Sequence, residues 1–337
     1  CSSDLYCGII ADNTYLYLGT DNGILVYNYR TDKYEQPDTD FPTDVRTMVL
    51  QGDTLWIGSL NGLYTYQLKS RQLNHFDSKQ TGLPHNTIYS IIHTKDNQIY
   101  IGTYNGLCRY VQASGKFENI LLPVNRGGSN LFVNSLLEDT TRQCIWIGME
   151  GYLFQYNPTI GEMKAIEVFH NNSIKSLALD GDENLLAGTD NGLYVYQNDK
   201  EPLQHIIHDS RNIQSLTNNI IWNIFSDQEH NIWLGTDYGI SLSRYNSALQ
   251  FVPISQITGT GDGNQFYSLF RDSKGFYWFG GTNGVIRFTH PAGNKHDAIW
   301  YRMGDKNHPL SHNRIRHIYE DREQQLWIAT EIGRAHV

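Results

Sequence analysis

The sequence predicts an all-β fold built from repeated four-stranded units, and three observations indicate it. Aromatic residues make up 12 % of the 337 residues, including 22 Tyr and 7 Trp, and β-strands favour aromatic side chains. The chain also contains 30 Gly, which provide for many tight turns. The third observation is a short apolar motif ending in glycine that recurs along the whole sequence.

The recurring motif is an apolar, often Trp-containing run that ends in Gly-Thr or a variant and is followed by Asn-Gly or a similar pair. A single copy resembles a phosphate-binding loop, but such a loop occurs once in a domain, so the repetition excludes that interpretation. The motif glycine, replaced by alanine in the last copy, recurs every 39 to 49 residues, at positions 19, 58, 102, 148, 188, 235, 280 and 329.

Every repeat has the same order of elements. An alternating run such as 86–92 comes first, and a polar turn and the Trp-containing run follow it. The Asn-Gly pair predicts a two-residue hairpin turn because both residues tolerate positive φ. A third strand such as 63–66 and a short fourth strand such as 72–76 complete the unit. Four antiparallel strands in about 44 residues are typical of a β-propeller blade.

The packing between blades follows from the same motif. The strand glycine is expected to let aromatic residues of the next blade approach closely, and the Trp or Tyr before it to fill the space between blades. The alternative architecture, a flat array of β-repeats, would leave hydrophobic faces and strand edges uncovered.

The number of repeats predicts a seven-bladed β-propeller of four-stranded antiparallel blades over residues 1–310. The chain starts on an innermost strand at 6–10, and seven complete units end near residue 301. Residues 311–337 then supply only the first strands of a following blade or second propeller, truncated after two strands, because 333–337 departs from the expected third strand. An eight-bladed ring with an incomplete last blade is the alternative.

Net charge and amino-acid composition argue against some classes of function. The net charge of −9 and the pI near 5.8 argue against nucleic-acid contacts, which require a basic face. No run of about 18 apolar residues is present that could span a membrane. The cysteines lack metal-ligand spacing, and unpaired thiols are favoured over a Cys108–Cys144 disulfide.

The unit Asn-x-Ile-x-x-Ile, followed by an Asp-rich turn and Leu-Trp-Ile-Gly-Thr-x-x-Gly-Leu, resembles the two-component regulator propeller repeat. Residues 82–107 and 215–240 carry this resemblance most clearly. It implies the periplasmic sensor region of an inner-membrane hybrid two-component histidine kinase that binds an oligosaccharide and regulates polysaccharide-utilisation genes. It also implies a second propeller and a β-sandwich in the same protein, and a homodimer at full length.

Catalytic motifs are absent from the sequence: there is no Gly-x-Ser-x-Gly elbow, no His-Glu-x-x-His and no pair of cysteine ligands. For His205 and His208, a loop is favoured over a metal site, and for 180–184 a hairpin turn is favoured over a calcium loop. A propeller glycosidase requires two carboxylates. The innermost strands instead carry neutral polar residues, namely Thr47, Ser90, Ser176, Asn223 and Ser268. We therefore predict no catalytic residue, metal or cofactor in this chain.

The predicted ligand face combines the loops before the innermost strands with the turns after the Trp strands. Tyr and Trp rings stack on sugar C–H groups, while Arg and Asn provide fixed hydrogen bonds. The predicted ligand-binding residues are Tyr104, Arg126, Asn130, Arg211, Asn219, Trp222, Asp237, Tyr238, His312 and Arg314. For each of them, support of a loop or rim is the alternative role. A protein-interaction propeller and a glycoside hydrolase or lyase are the alternative functions, although the Gly-His and Trp-Asp pairs of WD repeats do not recur.

Overall fold

Strands dominate the secondary structure. The computed structural model describes residues 5–10, 14–35, 39–124, 131–166, 172–197, 200–210, 212, 214–245, 252–253, 265–289, 298–321, 323–331 and 333–336. Over these ranges a single short α-helix, Ser78–Thr81, accompanies the strands. The predicted fold class, an all-β propeller of seven four-stranded antiparallel blades, is confirmed.

The chain divides into two compact units, and the first consists of residues 3–171. Within it, consecutive strands pair in chain order as four antiparallel blades. Their strands are Leu5–Ile10, Tyr15–Thr20, Gly23–Asn28 and Lys33–Glu35 in blade 1; Val45–Gln51, Thr54–Ser59, Gly62–Gln67 and Leu73–Phe76 in blade 2; Ile88–His93, Ile99–Thr103, Gly106–Val111 and Lys116–Ile120 in blade 3; Val133–Asp139, Cys144–Met149, Leu153–Asn157 and Glu162–Ile166 in blade 4.

The second unit, residues 172–337, contains blades 5 to 7 and a three-stranded eighth sheet. A short strand, Pro309–Leu310, adds to blade 7 in parallel orientation. The other strands are Ile174–Leu179, Leu185–Thr189, Gly192–Gln197 and Lys200–Ile206 in blade 5; Ile221–Ser226, Ile232–Thr236, Gly239–Ser243 and Val252–Pro253 in blade 6; Phe266–Arg271, Tyr277–Gly281, Gly284–Phe288 and Ile299–Met303 in blade 7; Ile315–Glu320, Leu326–Thr330 and Gly333–His336 in the eighth sheet.

The eighth sheet corrects one prediction. Residues 333–337 were expected to depart from the third-strand pattern, but Gly333–His336 pairs antiparallel with Leu326–Thr330. The ladder is made by backbone N–H and C=O groups, which these residues supply whatever their side chains. A side-chain pattern alone therefore missed this strand.

The hydroxyl residue of the motif closes the hairpin turn between the second and third strands. Thr236 Oγ1 donates to the Gly239 carbonyl oxygen at 2.7 Å and accepts from the Tyr238 N–H at 3.2 Å. Gly239 has φ of 119°, a conformation that glycine adopts most readily. The same pair of bonds recurs at Thr20, Ser59, Thr103 and Thr189. The predicted hairpin turns are therefore confirmed.

The strand glycine faces the first strand of the next blade. A Cβ atom on Gly58 would lie 2.6 Å from Ile88 Cγ2, and one on Gly280 would lie 2.4 Å from Ile315 Cγ2. The predicted close approach is confirmed, but the approaching residues are mainly β-branched rather than aromatic. Each is the first residue of its strand, a position where the branched side chain packs well on a pleated surface.

The Trp residues before the glycines pack against the following blade, as predicted. Trp233 is fully buried, and its ring centroid lies 4.8 Å from those of both Tyr277 and Phe279. Trp56 packs in the same way, with its centroid 4.7 Å from that of Tyr110. These rings form a large part of the core between neighbouring blades within each unit.

A buried aspartate at the end of the first strand binds the indole N–H. Asp227 Oδ2 accepts from Trp233 Nε1 and from the Tyr277 hydroxyl, both at 2.9 Å. Its Oδ1 accepts from the Glu229 and Asn231 N–H groups of the following turn. The equivalent indole bonds link Trp146 to Asp139, Trp278 to Asp272, and Trp327 to Asp321. These acids therefore serve the architecture of the blades.

The contacts of Asp227 predict that the stability of the fold decreases in acid. Burial raises the pKa of Asp227, but hydrogen bonds from Trp233, Asn231 and Tyr277 lower it by more, so that it lies below its ordinary value. A depressed pKa contributes stability that is complete above the unfolded value of about 3.9 and is lost as the pH falls through the folded value. We expect the free energy of unfolding, measured by urea denaturation from pH 3 to 7, to fall below about pH 4.

The Asp227→Asn variant tests this assignment. Its free energy of unfolding is expected to be lower at pH 7 and to depend less on pH below about pH 4 than that of the unmodified chain. Asp53→Asn, at an exposed ion pair with Lys69, is the matched control. An unchanged acid dependence in Asp227→Asn would contradict the assignment.

The described cysteines are unpaired, as favoured from the sequence. Cys7, Cys108 and Cys144 are free thiols. Burial raises the pKa of Cys7 to about 12 and that of Cys144 to about 11. These thiols are therefore protonated at neutral pH and serve as small apolar residues.

Candidate functional site

In blades 2, 3, 5, 6 and 7 and in the eighth sheet, the turn after the second strand is hydrogen-bonded to the residue just before or at the beginning of the first strand of the same sheet. The Asp237 N–H donates to the Ile220 carbonyl oxygen at 3.0 Å, and the Glu331 N–H donates to the Arg314 carbonyl oxygen at 2.9 Å. The structure thus places the predicted loops and turns at the same end of these sheets.

A β-bulge interrupts the beginning of each first strand. In blade 6, Ile221 pairs with Thr236 and Asn223 pairs with Gly235, which leaves Trp222 as the extra residue. A bulge redirects the side chain of the extra residue. The residues at this position in blades 2 to 7 and the eighth sheet are Arg46, Tyr89, Asn134, Lys175, Trp222, Tyr267 and Arg316. Only Trp222 was predicted from the sequence as a site residue.

Trp222 lies at the centre of a hydrogen-bonded group in residues 172–337. Its Nε1 donates to Asp237 Oδ1 at 3.1 Å, and Gln265 Nε2 donates to the same oxygen at 2.8 Å. The Tyr267 hydroxyl donates to Gln265 Oε1 at 2.5 Å. The Lys175 ammonium lies 4.4 Å from the indole centroid. The structure therefore brings the predicted Trp222 and Asp237 together and adds three residues that sequence analysis missed.

A second group continues from Tyr267. The Arg316 guanidinium carbon lies 5.3 Å from the Tyr267 ring centroid, and Arg316 Nη2 lies 3.2 Å from Glu331 Oε1. Arg314 Nη1 donates to the same carboxylate oxygen at 2.9 Å. His312 Nδ1 accepts from the Arg314 N–H at 3.1 Å, which fixes the loop before the strand. The predicted His312 and Arg314 thus lie together.

These two groups form one continuous series of contacts, which we name the contact row. Its members come from blades 5 to 7 and the eighth sheet, all within residues 172–337. They are Lys175, Trp222, Asp237, Gln265, Tyr267, Arg314, Arg316 and Glu331. The row carries two aromatic rings, three basic groups, two carboxylates and one amide.

Asn219 supports a loop. Its Oδ1 accepts from the His208 N–H at 2.6 Å. The equivalent Asn86 accepts from the Ser78 N–H, and Asn313 accepts from the Met303 N–H, both at 2.7 Å. This repeated bond explains the Asn of the sequence motif. It gives Asn219 a role in holding the loop before the first strand.

The remaining predicted residues fall into three situations. Tyr238 lies in the hairpin turn of blade 6 with 60 % of its surface exposed. Tyr104, in residues 3–171, lies between His85 and Phe132, with ring centroids 5.3 and 5.7 Å away. The residues that lie outside the described part of the chain are Arg126, Asn130 and Arg211.

The polar residues of the first strands have structural contacts. Ser176 Oγ accepts from the Ile224 N–H at 3.2 Å, and Ser268 Oγ accepts from the Ile318 N–H at 2.8 Å. Each bond joins a first strand to the next one. These hydroxyls therefore hold blades together, one residue beyond the bulge position.

Residues 180–184 form a hairpin turn and His208 lies in a loop, as favoured from the sequence, whereas His205 lies in the strand Lys200–Ile206 and not in a loop. Asp180 Oδ1 accepts from the N–H groups of Asp182 and Asn184, which closes a hairpin turn. His208 Nδ1 lies 2.5 Å from the Leu216 carbonyl oxygen. The His205 ring, in the last strand of blade 5, stacks on the Tyr194 ring of the third strand. In the part of the chain that the structure describes, no three acidic, His or Cys side chains form a metal-binding group.

The repeats match a known family. Residues 82–105, 215–238, 260–283 and 309–331 match the model of the two-component regulator propeller. The chain therefore carries two-component regulator propeller repeats, and the resemblance predicted from the motif is confirmed.

Particular relatives agree with this class. The extracellular domain of a putative hybrid two-component system from B. thetaiotaomicron is 82 % identical, with a TM-score of 0.67 over 97 % of this chain and 44 % of that one. Another such domain from the same organism is 18 % identical, with a TM-score of 0.55 over 98 % of this chain and 56 % of that one, which shows the fold alone.

A curated relative is a histidine kinase. Histidine kinase P4 from Formosa agariphila is 24 % identical over 312 residues, covering 81 % of this chain and 21 % of the relative. The chain thus spans about a fifth of that kinase. Among the described residues, no helix is long and apolar enough to cross a membrane.

Proposed function

We propose that this chain is the ligand-sensing extracytoplasmic propeller of a hybrid two-component sensor kinase and that it recognises an oligosaccharide. The contact row carries this proposal. Trp222 is 42 % exposed although its indole N–H is held by Asp237. An exposed ring offers a flat apolar surface to sugar C–H groups, and the neighbouring basic groups can donate to sugar hydroxyl oxygens.

The relatives support the proposed part in a sensor kinase. A putative hybrid two-component system and a histidine kinase are similar to this chain. In the proposal, the propeller lies in the periplasm as part of an inner-membrane protein, and ligand binding switches genes for polysaccharide use. A second propeller, a β-sandwich and a partner subunit of a homodimer complete the sensor.

The proposed role is binding without catalysis. Asp237 Oδ1 is shared by Trp222 and Gln265, and Glu331 Oε1 is shared by two arginines. A glycosidase requires one carboxyl group as acid and another as nucleophile or base on the two sides of the scissile bond. The two carboxylates of the contact row instead orient neighbouring side chains, and the proposal requires no cofactor.

A protein-interaction scaffold is the second candidate function. It is favoured by Tyr238 and Trp222, which are exposed aromatic residues on the same end of blade 6. Aromatic residues are enriched at the centres of protein interfaces. The two candidates differ in their ligand and can be separated by binding experiments with glycans.

A glycan array probed with the purified chain, followed by calorimetry on each bound glycan, tests the proposal. We expect binding of at least one oligosaccharide and no change in its length after prolonged incubation, as measured by chromatography. Shorter products that disappear in Asp237→Asn or Glu331→Gln would indicate a hydrolase or lyase instead. Absence of binding to every glycan would favour the interaction scaffold.

A further inference from the structure

We infer that Trp222 and Tyr267 provide two adjacent stacking subsites for a single oligosaccharide of at least two pyranose units. Asp237 and Gln265 are the residues that position these two rings. The inference rests on the proposed function. It assigns to this part of the contact row the dependence of affinity on the number of sugar units.

The two rings occupy equivalent positions. Trp222 is the bulge residue of the first strand in blade 6, and Tyr267 is the bulge residue of the first strand in blade 7. Both side chains are therefore redirected by the same local distortion in consecutive blades. Two flat apolar surfaces at equivalent positions of a repeat suit a ligand that itself repeats, such as a linear oligosaccharide.

One hydrogen-bonded bridge sets the two rings relative to each other. It runs from Trp222 Nε1 to Asp237 Oδ1 at 3.1 Å, then from that oxygen to Gln265 Nε2 at 2.8 Å. Gln265 Oε1 accepts from the Tyr267 hydroxyl at 2.5 Å. Each ring is held by its polar edge. Preorganised rings lose little conformational entropy when a ligand binds.

A basic side chain lies over each of these two rings. The Lys175 ammonium lies 4.4 Å from the Trp222 centroid, and the Arg316 guanidinium carbon lies 5.3 Å from the Tyr267 centroid. Both cations are hydrogen-bond donors, and sugar hydroxyl oxygens accept such bonds. Each ring therefore has a hydrogen-bond donor beside it, and the Asp237–Gln265 bridge lies between the two rings, which suits two neighbouring sugar units.

Calorimetry with sugars of defined length tests the two subsites. The probes are the mono- to hexasaccharides of the cello-, xylo-, manno- and galacto-oligosaccharide series, titrated into the complete chain. For the series that binds, we expect the affinity to rise at least about twofold from the monosaccharide to the disaccharide, the lower value for one aromatic contact. Equal affinity for the monosaccharide and the longer sugars would overturn the inference.

Substitutions separate the rings from the positioning residue. Trp222→Ala and Tyr267→Ala are each expected to weaken disaccharide binding about twofold to tenfold. In each variant the remaining ring can still bind a monosaccharide. The disaccharide is therefore expected to bind no more tightly than the monosaccharide. Tyr245→Ala removes an exposed aromatic residue bound to the turn at Asp182 and is the matched control.

Two substitutions of Asp237 test whether its carboxylate positions the rings or contacts the sugar. Asp237→Asn keeps an oxygen that accepts from Trp222 Nε1, so it is expected to bind like the unmodified chain. Asp237→Ala should weaken disaccharide binding and alter the near-ultraviolet circular dichroism of the indole. Equal loss in both variants would show that the carboxylate contacts the sugar and would overturn its positioning role.

The outcomes for this inference and for the proposed function differ. If an oligosaccharide binds with unchanged affinity to Trp222→Ala and Tyr267→Ala, the inference fails and the sensing function stands. If no probe and no glycan of the array binds, both fail. Far-ultraviolet circular dichroism of each variant establishes that a lost affinity does not reflect an unfolded chain.

Discussion

Trp233→Ala is expected to lower the free energy of unfolding by about 3–5 kcal/mol, as for other buried aromatic residues replaced by alanine. Trp233 is fully buried, and its ring contacts Tyr277 and Phe279 of the next blade. Its Nε1 donates to Asp227 at 2.9 Å. The substitution therefore creates a cavity between two blades and removes a hydrogen bond from a buried carboxylate.

Urea denaturation, monitored by circular dichroism, measures this loss of unfolding free energy. Trp146→Ala is expected to behave alike, because Trp146 is also fully buried and donates to Asp139 at 3.0 Å. Trp233→Phe keeps most of the buried ring and should cost less. The half-exposed Trp222 supplies the matched control, since Trp222→Ala should change stability by less than about 1 kcal/mol. A similarly small change in Trp233→Ala would contradict the proposed packing.

The blades were predictable because the motif acts through local contacts. Thr236 bonds to Gly239 three residues away, and Asp227 bonds to Trp233 six residues away. Blade 6 therefore contains within its own sequence the hairpin turn and the Asp–Trp bond that define its hairpins, and the Asp–Trp bond recurs in blades 4 and 7 and the eighth sheet. The repeated Gly-Thr-x-x-Gly pattern in the sequence reflects these contacts, and its repetition predicts the fold.

The contact row was harder to predict because a bulge leaves little trace in the sequence. The alternating pattern around Ile174 and Ser176 gives no sign that Lys175 is an extra residue, which only the strand pairing shows. Ser176 and Ser268, which the sequence marked only as neutral polar residues of the innermost strands, lie one residue beyond the bulge and bond to the first strand of the next blade. A shift of one residue exchanges the two faces of a strand.

The partners of the row are also distant in the sequence. Gln265 lies 28 residues from Asp237, and the bond between them joins the turn after the second strand of blade 6 to the beginning of blade 7. Propensity and periodicity describe each blade separately, so they identified Trp222 and Asp237 but missed the amide that links them to Tyr267. The ligand roles of Arg126, Asn130 and Arg211 remain predictions from the sequence.

Gly235→Ala is expected to lower the free energy of unfolding by about 1–3 kcal/mol, the usual cost of extra volume in a packed core. A Cβ atom on Gly235 would lie 2.8 Å from the carbonyl oxygen of Phe266, the first residue of the next first strand. Backbone atoms cannot rotate away as a side chain can, so the two blades must separate locally. The chain itself offers the comparison: Ala329 stands at the motif position in the eighth sheet and is partly exposed. Ala329→Gly should therefore cost no more than about 1 kcal/mol, the conformational penalty of glycine in a strand. Equal stability of Gly235→Ala and the unmodified chain in urea would show that the blades do not depend on this close approach.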